Sequence, residues 1–140
     1  MTSLTRRYAF SASHRLHTDR LSEADNRRLF GKCNNPFGHG HNYFLEVTLA
    51  GDIDPSTGLL VPLERLDAYV RRAALSRLDH TDLNHDLPEF ASQVPTTENL
   101  GLVIGRWLAA GWSELAPARL AQLRLEETAS NAIEIHFHGH

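Results

Sequence analysis

Four segments of the chain alternate apolar and polar side chains with the period of two that is typical of half-buried β-strands. The first, residues 4–14, ends with His14 on its apolar face, and the second covers residues 42–51. We expect these two strands to pair antiparallel, because consecutive strands are usually neighbours in a sheet. The other two segments, 123–127 and 133–137, follow one another near the end of the chain across a short turn.

Two segments between these strand pairs repeat apolar residues at helical spacing. The first helix is predicted from Pro62 to Leu78, because proline fits the first position of a helix. The second starts at a threonine cap, Thr96 or Thr97, and ends at Gly111. It carries the clearest apolar stripe in the chain, so we expect it to pack against the sheet.

Two polar segments, 17–36 and 79–95, are predicted as long loops, the first with a short helical turn at 23–30. The predicted order of elements is ββααββ, which indicates an α+β fold. The chain shows neither an internal repeat nor a linker between domains. We therefore expect residues 1–140 to form a single domain.

Composition and charge exclude several classes of protein. The chain has 140 residues, 41% of them apolar, and a formal net charge of -3. This balance argues against binding along a nucleic-acid duplex, which needs a basic excess. No apolar run approaches the roughly 18 residues of a membrane span, and the first residues lack a signal-peptide core, so we expect a cytoplasmic protein with no membrane partner.

Histidine is unusually frequent, with nine in the chain, and two of them form the motif Gly38-His39-Gly40-His41. On a strand, residues two apart point to one face, so both imidazoles could reach a single ion. His14 ends the neighbouring predicted strand and could approach the same point. Three histidines with an open fourth position are typical of catalytic zinc. The alternative is a pair of histidines in a flexible turn.

Cys33 is the one cysteine in the chain, which excludes an intrachain disulfide framework. It follows Lys32, the one lysine, and lies in a polar segment just before the histidine pair. Lys32 and a nearby metal ion would each favour the thiolate, which could then act as a base. A buried, unreactive cysteine is the alternative, although the polar surroundings argue against it.

Asp79 and His80 open the second polar segment, and a histidine with an acidic partner can act as a general acid or base. The pair needs a loop geometry to bring both side chains together, and solvation at the surface is the alternative. Glu127 shares strand parity with Leu123 and Leu125, so it is predicted to point inward. An inward carboxylate needs a partner and could hold a planar, donor-rich ligand.

The chain ends with three closely spaced histidines, His136, His138 and His140. They could suggest a second metal motif. We instead expect solvated side chains, because chain ends are usually poorly fixed.

Six motifs taken together resemble the 6-pyruvoyl-tetrahydropterin synthase family, and the similarity covers nearly the whole chain. They are FSASHRL (10–16), GKCNNPFGHGHNY (31–43), DPSTG (54–58), LDHTDLN (78–84), PTTEN (95–99) and EET (126–128). The resemblance implies a tunnelling fold (T-fold), in which each subunit contributes a four-stranded antiparallel sheet with two helices on one face. It also implies that three subunits close a barrel and that two such trimers stack into a homohexamer.

The resemblance further implies a role for each candidate residue, in an active site formed at subunit interfaces. The implied zinc ligands are His14, His39 and His41. The implied catalytic groups are Cys33, Asp79 and His80. The implied pterin-binding residues are Glu127, Thr96 and Thr97.

The implied reaction converts 7,8-dihydroneopterin triphosphate to 6-pyruvoyl-tetrahydropterin and releases triphosphate, with Zn²⁺ as cofactor and Mg²⁺ accompanying the triphosphate. The related 6-carboxy-tetrahydropterin synthases of queuosine biosynthesis act on the same substrate and also release acetaldehyde. They usually have a shorter interval between cysteine and histidine pair than the one between Cys33 and His39, so the pyruvoyl product is favoured. A different alternative is a zinc-binding scaffold without catalysis, although such a scaffold would not need Cys33 or Glu127.

Overall fold

The computed structural model describes residues 1–138, which form a twisted β-sheet with helices packed on one of its faces. The strands are β1 (Thr2–His14), β2 (His39–Gly51), β3 (Thr81–Asp82), β4 (Arg119–Thr128) and β5 (Asn131–His136). The helices are α1 (Glu23–Phe30), α2 (Leu63–Val70), α3 (Ser76–Leu78), α4 (Leu83–Asp86) and α5 (Thr97–Ala110). Short 3₁₀ segments lie at Gly31–Asn34, Pro88–Phe90 and Trp112–Leu115, and a π-helical segment lies at Arg71–Leu75.

The four predicted strands are confirmed and pair antiparallel in the spatial order β1, β2, β4, β5. The expectation of a sheet with only four antiparallel strands is wrong in one respect. Residues Thr81–Asp82 form a fifth strand, β3, that pairs parallel with β1 at the edge of the sheet. A two-residue strand is too short to show alternation, so this part of the sequence reads as a loop.

The predicted first helix is one helical segment with an irregular centre. Residues Arg71–Leu75 form a π-helical stretch between α2 and α3, so the helical path covers nearly the predicted range. The predicted second helix is α5, capped by the Thr96 side chain, which accepts a hydrogen bond from the Asn99 amide.

The hydrophobic core lies between the helices and one face of the sheet. It contains alternate residues of the strands, such as Leu45, Val47 and Leu123, and the apolar stripe of α5. The opposite face of the sheet is polar, and there Arg7 and Arg124 both bind the carboxylate of Glu46. Among residues 1–138, no helix is both long and apolar enough to cross a membrane.

Candidate metal and thiol site

Three imidazole rings converge where β1 ends and β2 begins. His14 is directly opposite His39 in the strand register, and His41 is opposite Ala12 on the same face. The Nε2 atom of His41 lies 3.1 Å from Nε2 of His14 and 2.9 Å from Nε2 of His39. β2 begins at His39, three residues earlier than predicted, so both histidines of the motif are fixed by strand pairing.

The surroundings of His14 determine which of its ring nitrogens is free. Its Nδ1 lies 2.9 Å from the carbonyl oxygen of Pro95, which can only accept a hydrogen bond. Nδ1 therefore carries the proton, and the lone pair of Nε2 points toward the other two histidines. Burial lowers the pKa of both His14 and His41, so these rings are neutral at pH 7 and available as ligands.

This arrangement fits the donor set of a zinc site. Three imidazole nitrogens bound to one tetrahedral zinc ion at about 2.05 Å would lie roughly 3.3 Å apart, close to the two distances above. The ligand atoms of His14, Cys33, His39 and His41 all lie within 4.8 Å of one another. In metal sites, the ring N–H of a histidine ligand that does not face the metal often donates a hydrogen bond to a backbone carbonyl, as Nδ1 of His14 does to Pro95.

Cys33 is brought to this cluster by the segment that follows α1. The carbonyl oxygen of Cys33 accepts a hydrogen bond from the Leu16 amide at 2.6 Å, and the Asn34 side chain donates to the Leu16 carbonyl at 2.8 Å. These bonds tie the thiol segment to the residues directly after His14. The thiol itself is half-buried.

The protonation state of Cys33 differs from the one suggested by its neighbour in the sequence. Burial raises the pKa of the Cys33 thiol, and the negative charge of Glu127 raises it further. The exposed Lys32 therefore does not by itself produce a thiolate. A cation held by the three histidines would lower the pKa of the Cys33 thiol and favour the thiolate.

Glu127 points inward, as its strand parity predicted. Its side chain is only 10% exposed, and one carboxylate oxygen lies 3.5 Å from Nε2 of His41. The other oxygen accepts a hydrogen bond from the hydroxyl of the buried Thr97, the first residue of α5. Thr96, one residue earlier, uses its hydroxyl to cap α5.

Asp79 and His80 form a pair at the edge of the sheet. Nδ1 of His80 lies 3.1 Å from the Asp79 carboxylate, and His80 adopts a positive φ of 61°. Both are anchored to Ser11 of β1, whose amide donates to the Asp79 carboxylate and whose carbonyl accepts from the His80 amide. The side chains are exposed, and within residues 1–138 their hydrogen bonds do not reach the histidine cluster.

Two of the C-terminal histidines, His136 and His138, are exposed. His140 lies outside the described residues. The predicted solvation of these side chains therefore agrees with the structure at the first two positions.

Several contributors to the site carry no sequence signal of their own. The Pro95 carbonyl acts through the backbone, and any residue type at that position would supply the same oxygen. Asn34 is buried and bonds to two backbone or ring acceptors, Leu16 and His17. A buried asparagine beside a reactive residue could have been suspected from the motif, but its partners depend on the fold.

Comparison with known proteins identifies the family. A sequence model described as 6-pyruvoyl tetrahydropterin synthase matches residues 3–137. The chain belongs to the 6-pyruvoyl tetrahydropterin synthase family. Members of this family are lyases, so the chain is an enzyme of that class.

Named relatives agree with this assignment. The chain is 52% identical over 101 residues to the 6-pyruvoyl tetrahydrobiopterin synthase of Homo sapiens, covering 72% of this chain and 70% of that protein. It is 45% identical over 134 residues to the protein of that name from Poecilia reticulata, covering 93% and 86%. The solved structure of Caenorhabditis elegans 6-pyruvoyl tetrahydropterin synthase matches with a TM-score of 0.88 and 36% identity, covering 98% and 96%.

Proposed function

We propose that the chain is a cytoplasmic, zinc-dependent enzyme that converts 7,8-dihydroneopterin triphosphate to 6-pyruvoyl-tetrahydropterin and releases triphosphate. The observation that carries this proposal is the convergence of three imidazoles, with Nε2 of His41 within 3.1 Å of Nε2 of both His14 and His39, next to a thiol and a nearly buried carboxylate. The names of the relatives support the same reaction. Atoms balance without an external oxidant or reductant, because the substrate eliminates triphosphate and rearranges internally.

The ligands in this proposal are His14, His39 and His41. A zinc ion bound there would coordinate the hydroxyls of the substrate side chain and acidify the neighbouring protons. Mg²⁺ would accompany the triphosphate. Cys33 removes a proton from the substrate side chain, and its place at the edge of the cluster puts it within reach of a ligand bound there.

Glu127 binds the pterin ring in this proposal. Its carboxylate is fixed by Thr97 and shielded from water, so it can accept hydrogen bonds from the adjacent ring N–H and amino groups of a pterin. A planar pair of donors suits a carboxylate with two parallel acceptor oxygens. Thr97 acts through Glu127, and Thr96 fixes the start of the helix that presents Thr97.

Asp79 and His80 complete the site from another subunit in this proposal. They lie at the exposed edge of the sheet and are held in place by Ser11. We propose a homohexamer, a dimer of trimers, in which the partner's His80 reaches the Cys33 site and relays protons. An exposed sheet edge is a surface on which a second subunit can pair.

The test is the mass of the pterin formed when zinc-loaded protein and magnesium meet 7,8-dihydroneopterin triphosphate under anaerobic conditions. We expect 6-pyruvoyl-tetrahydropterin from the wild type and its loss in Cys33→Ala. An exposed change, His85→Ala, serves as the matched control and should leave the product unchanged.

Two other outcomes would change the proposal. A 6-carboxy product with acetaldehyde would keep the site and replace the reaction by that of queuosine biosynthesis. Absence of turnover in protein that holds zinc would instead favour a non-catalytic zinc-binding scaffold.

A further inference from the structure

A cationic pocket opens beside the histidine cluster, and the zinc, thiol and pterin sites proposed for this chain do not occupy it. It has a volume of about 510 Å³ and is lined at one end by His39 of the cluster. Among residues 1–138, three basic side chains also line it, Arg15, Arg27 and Lys32, against one carboxylate, Glu23. A chain with a net charge of -3 thus concentrates positive charge at one place, directly next to its candidate metal site.

The three cations that line this pocket are unpaired within the described residues. Among residues 1–138, none of Arg15, Arg27 and Lys32 forms an ion pair. The neighbouring Arg28 behaves differently, because it is paired with Asp25 on the same helix. Unpaired cations around one pocket keep their donors available for an anion from outside the protein.

Arg15 is held in position before any ligand arrives. The Asn84 side chain binds its backbone twice, accepting from the Arg15 amide at 2.7 Å and donating to the Arg15 carbonyl at 2.9 Å. The Nε of Arg15 donates to the Asn34 carbonyl at 3.2 Å, and the two terminal nitrogens of the guanidinium have no hydrogen-bond partner among residues 1–138. A fixed guanidinium with free donors is well suited to phosphate oxygens.

We propose that this pocket binds the triphosphate group of the substrate. The inference rests on the function proposed above, in which the pterin side chain lies at the histidine cluster. Because His39 belongs to both the cluster and the pocket, a chain of phosphates attached to that side chain extends directly between Arg15, Arg27 and Lys32. Arg15 is the anchor, and Arg27 and Lys32 supply charge from the end of α1 and the segment after it.

The experiment measures binding of inorganic triphosphate to the zinc-loaded full chain by isothermal titration calorimetry. The test variant combines Arg27→Gln and Lys32→Gln, since both side chains are exposed and their loss should not affect folding. The control is Arg28→Gln, which removes one positive charge from the next position of the same helix, and it is compared with Arg27→Gln alone as well as with the double variant. Zinc content is measured after each titration, because triphosphate also chelates zinc.

We expect the affinity for triphosphate to fall about tenfold or more in the double variant and to stay within about twofold in Arg28→Gln, because only the former removes charges that line the pocket. Arg15→Lys keeps the positive charge but loses the planar guanidinium and its paired N–H donors, so it should also weaken triphosphate binding. In turnover, the double variant should raise KM for the triphosphate substrate and leave binding of 7,8-dihydroneopterin, which lacks the phosphates, unchanged.

The two proposals fail in different ways. Equal triphosphate affinity in wild type, double variant and control overturns this inference, even if the wild type makes the pyruvoyl product. If the double variant alone loses affinity for triphosphate but the wild type shows no turnover, the pocket is supported as a triphosphate site and the proposed reaction is overturned.

Discussion

The hydroxyl of Thr97 donates a hydrogen bond to the carboxylate of Glu127, and this bond joins the start of α5 to the end of β4. Glu127 belongs to the site through its other oxygen, which lies 3.5 Å from Nε2 of His41. A carboxylate that is only 10% exposed must be compensated by such donors. The start of α5, the end of β4 and the candidate site are therefore linked through this one carboxylate.

Replacing Thr97 by valine tests this dependence. The change keeps the shape of the side chain and removes the donor, so we expect a loss of about 1–3 kcal/mol in the free energy of unfolding. Urea denaturation measures it, and Thr97→Ser, which keeps the hydroxyl, is the control. Equal stability of Thr97→Val and wild type would show that Glu127 does not need this donor.

The sequence predicts the parts of this site that depend on periodicity. Alternation along β1 places His14 on the apolar face, the spacing of His39 and His41 puts both on one face of a strand, and strand parity turns Glu127 inward. A period of two determines the face of the sheet on which each side chain lies, so these positions follow once the strands are recognised.

The parts of the site that were not predicted depend on contacts between distant backbone segments. The Pro95 carbonyl that orients His14 is 81 positions away in the chain, and Asn84 binds the backbone of Arg15 across 69 positions. No local pattern encodes such pairs. The position of His80 beside β1 was missed for the same reason, since it depends on a strand of only two residues.

Removal of a single imidazole tests the metal site. We expect the wild type to bind about one zinc ion per chain and His39→Ala to lose at least about tenfold in zinc affinity, because a ligand is removed from a three-histidine set. Competition with a chromogenic chelator measures the affinity. His85→Ala is the control, because that side chain is exposed and pairs with Asp82.

Removing zinc with a chelator distinguishes a catalytic site from a structural one. The core between sheet and helices is extensive, so the chain should keep its circular dichroism spectrum and lose activity. Unfolding on zinc removal would instead indicate a structural role.

Two glycines with similar backbone angles form a matched pair of variants. Gly38 and Gly58 have φ values of 71° and 75°, so alanine at either position is disfavoured by roughly 1–2 kcal/mol. A Cβ on Gly38 would lie 2.9 Å from the carbonyl oxygen of His14, whereas one on Gly58 would meet nothing within 4 Å. Gly38→Ala should therefore also weaken zinc binding, and Gly58→Ala should not.

Thermal unfolding and zinc titration of the two alanine variants separate these effects. Both variants should unfold at a lower temperature than the wild type. Equal zinc affinity in the two would mean that the backbone contact at His14 does not determine the geometry of the cluster.

The carboxylate of Asp67 makes the free energy of unfolding depend on pH. Its carboxylate accepts two hydrogen bonds from Arg6 and one from Tyr8, all at 2.8 Å, and these bonds lower the pKa of Asp67. The unfolded chain therefore binds a proton more readily than the folded chain. The stabilisation is complete above the unfolded pKa of about 3.9 and is lost as the pH falls through the lower folded value.

Urea denaturation of wild type and Asp67→Asn measures this contribution. Asp67→Asn should be less stable at pH 7, and the difference should shrink as the pH is lowered below about 4. A difference that stays constant from pH 7 to pH 3 would show that the ion pair contributes no pH dependence.

Mixing two inactive variants tests whether the partner's His80 completes the Cys33 site. Cys33→Ala and His80→Ala should each be inactive as homo-oligomers. If each site takes one group from each of two subunits, random mixing after dissociation leaves about a quarter of the sites with both groups intact. Activity should then return to about a quarter of the wild-type value, and it should not return if both groups act within one chain.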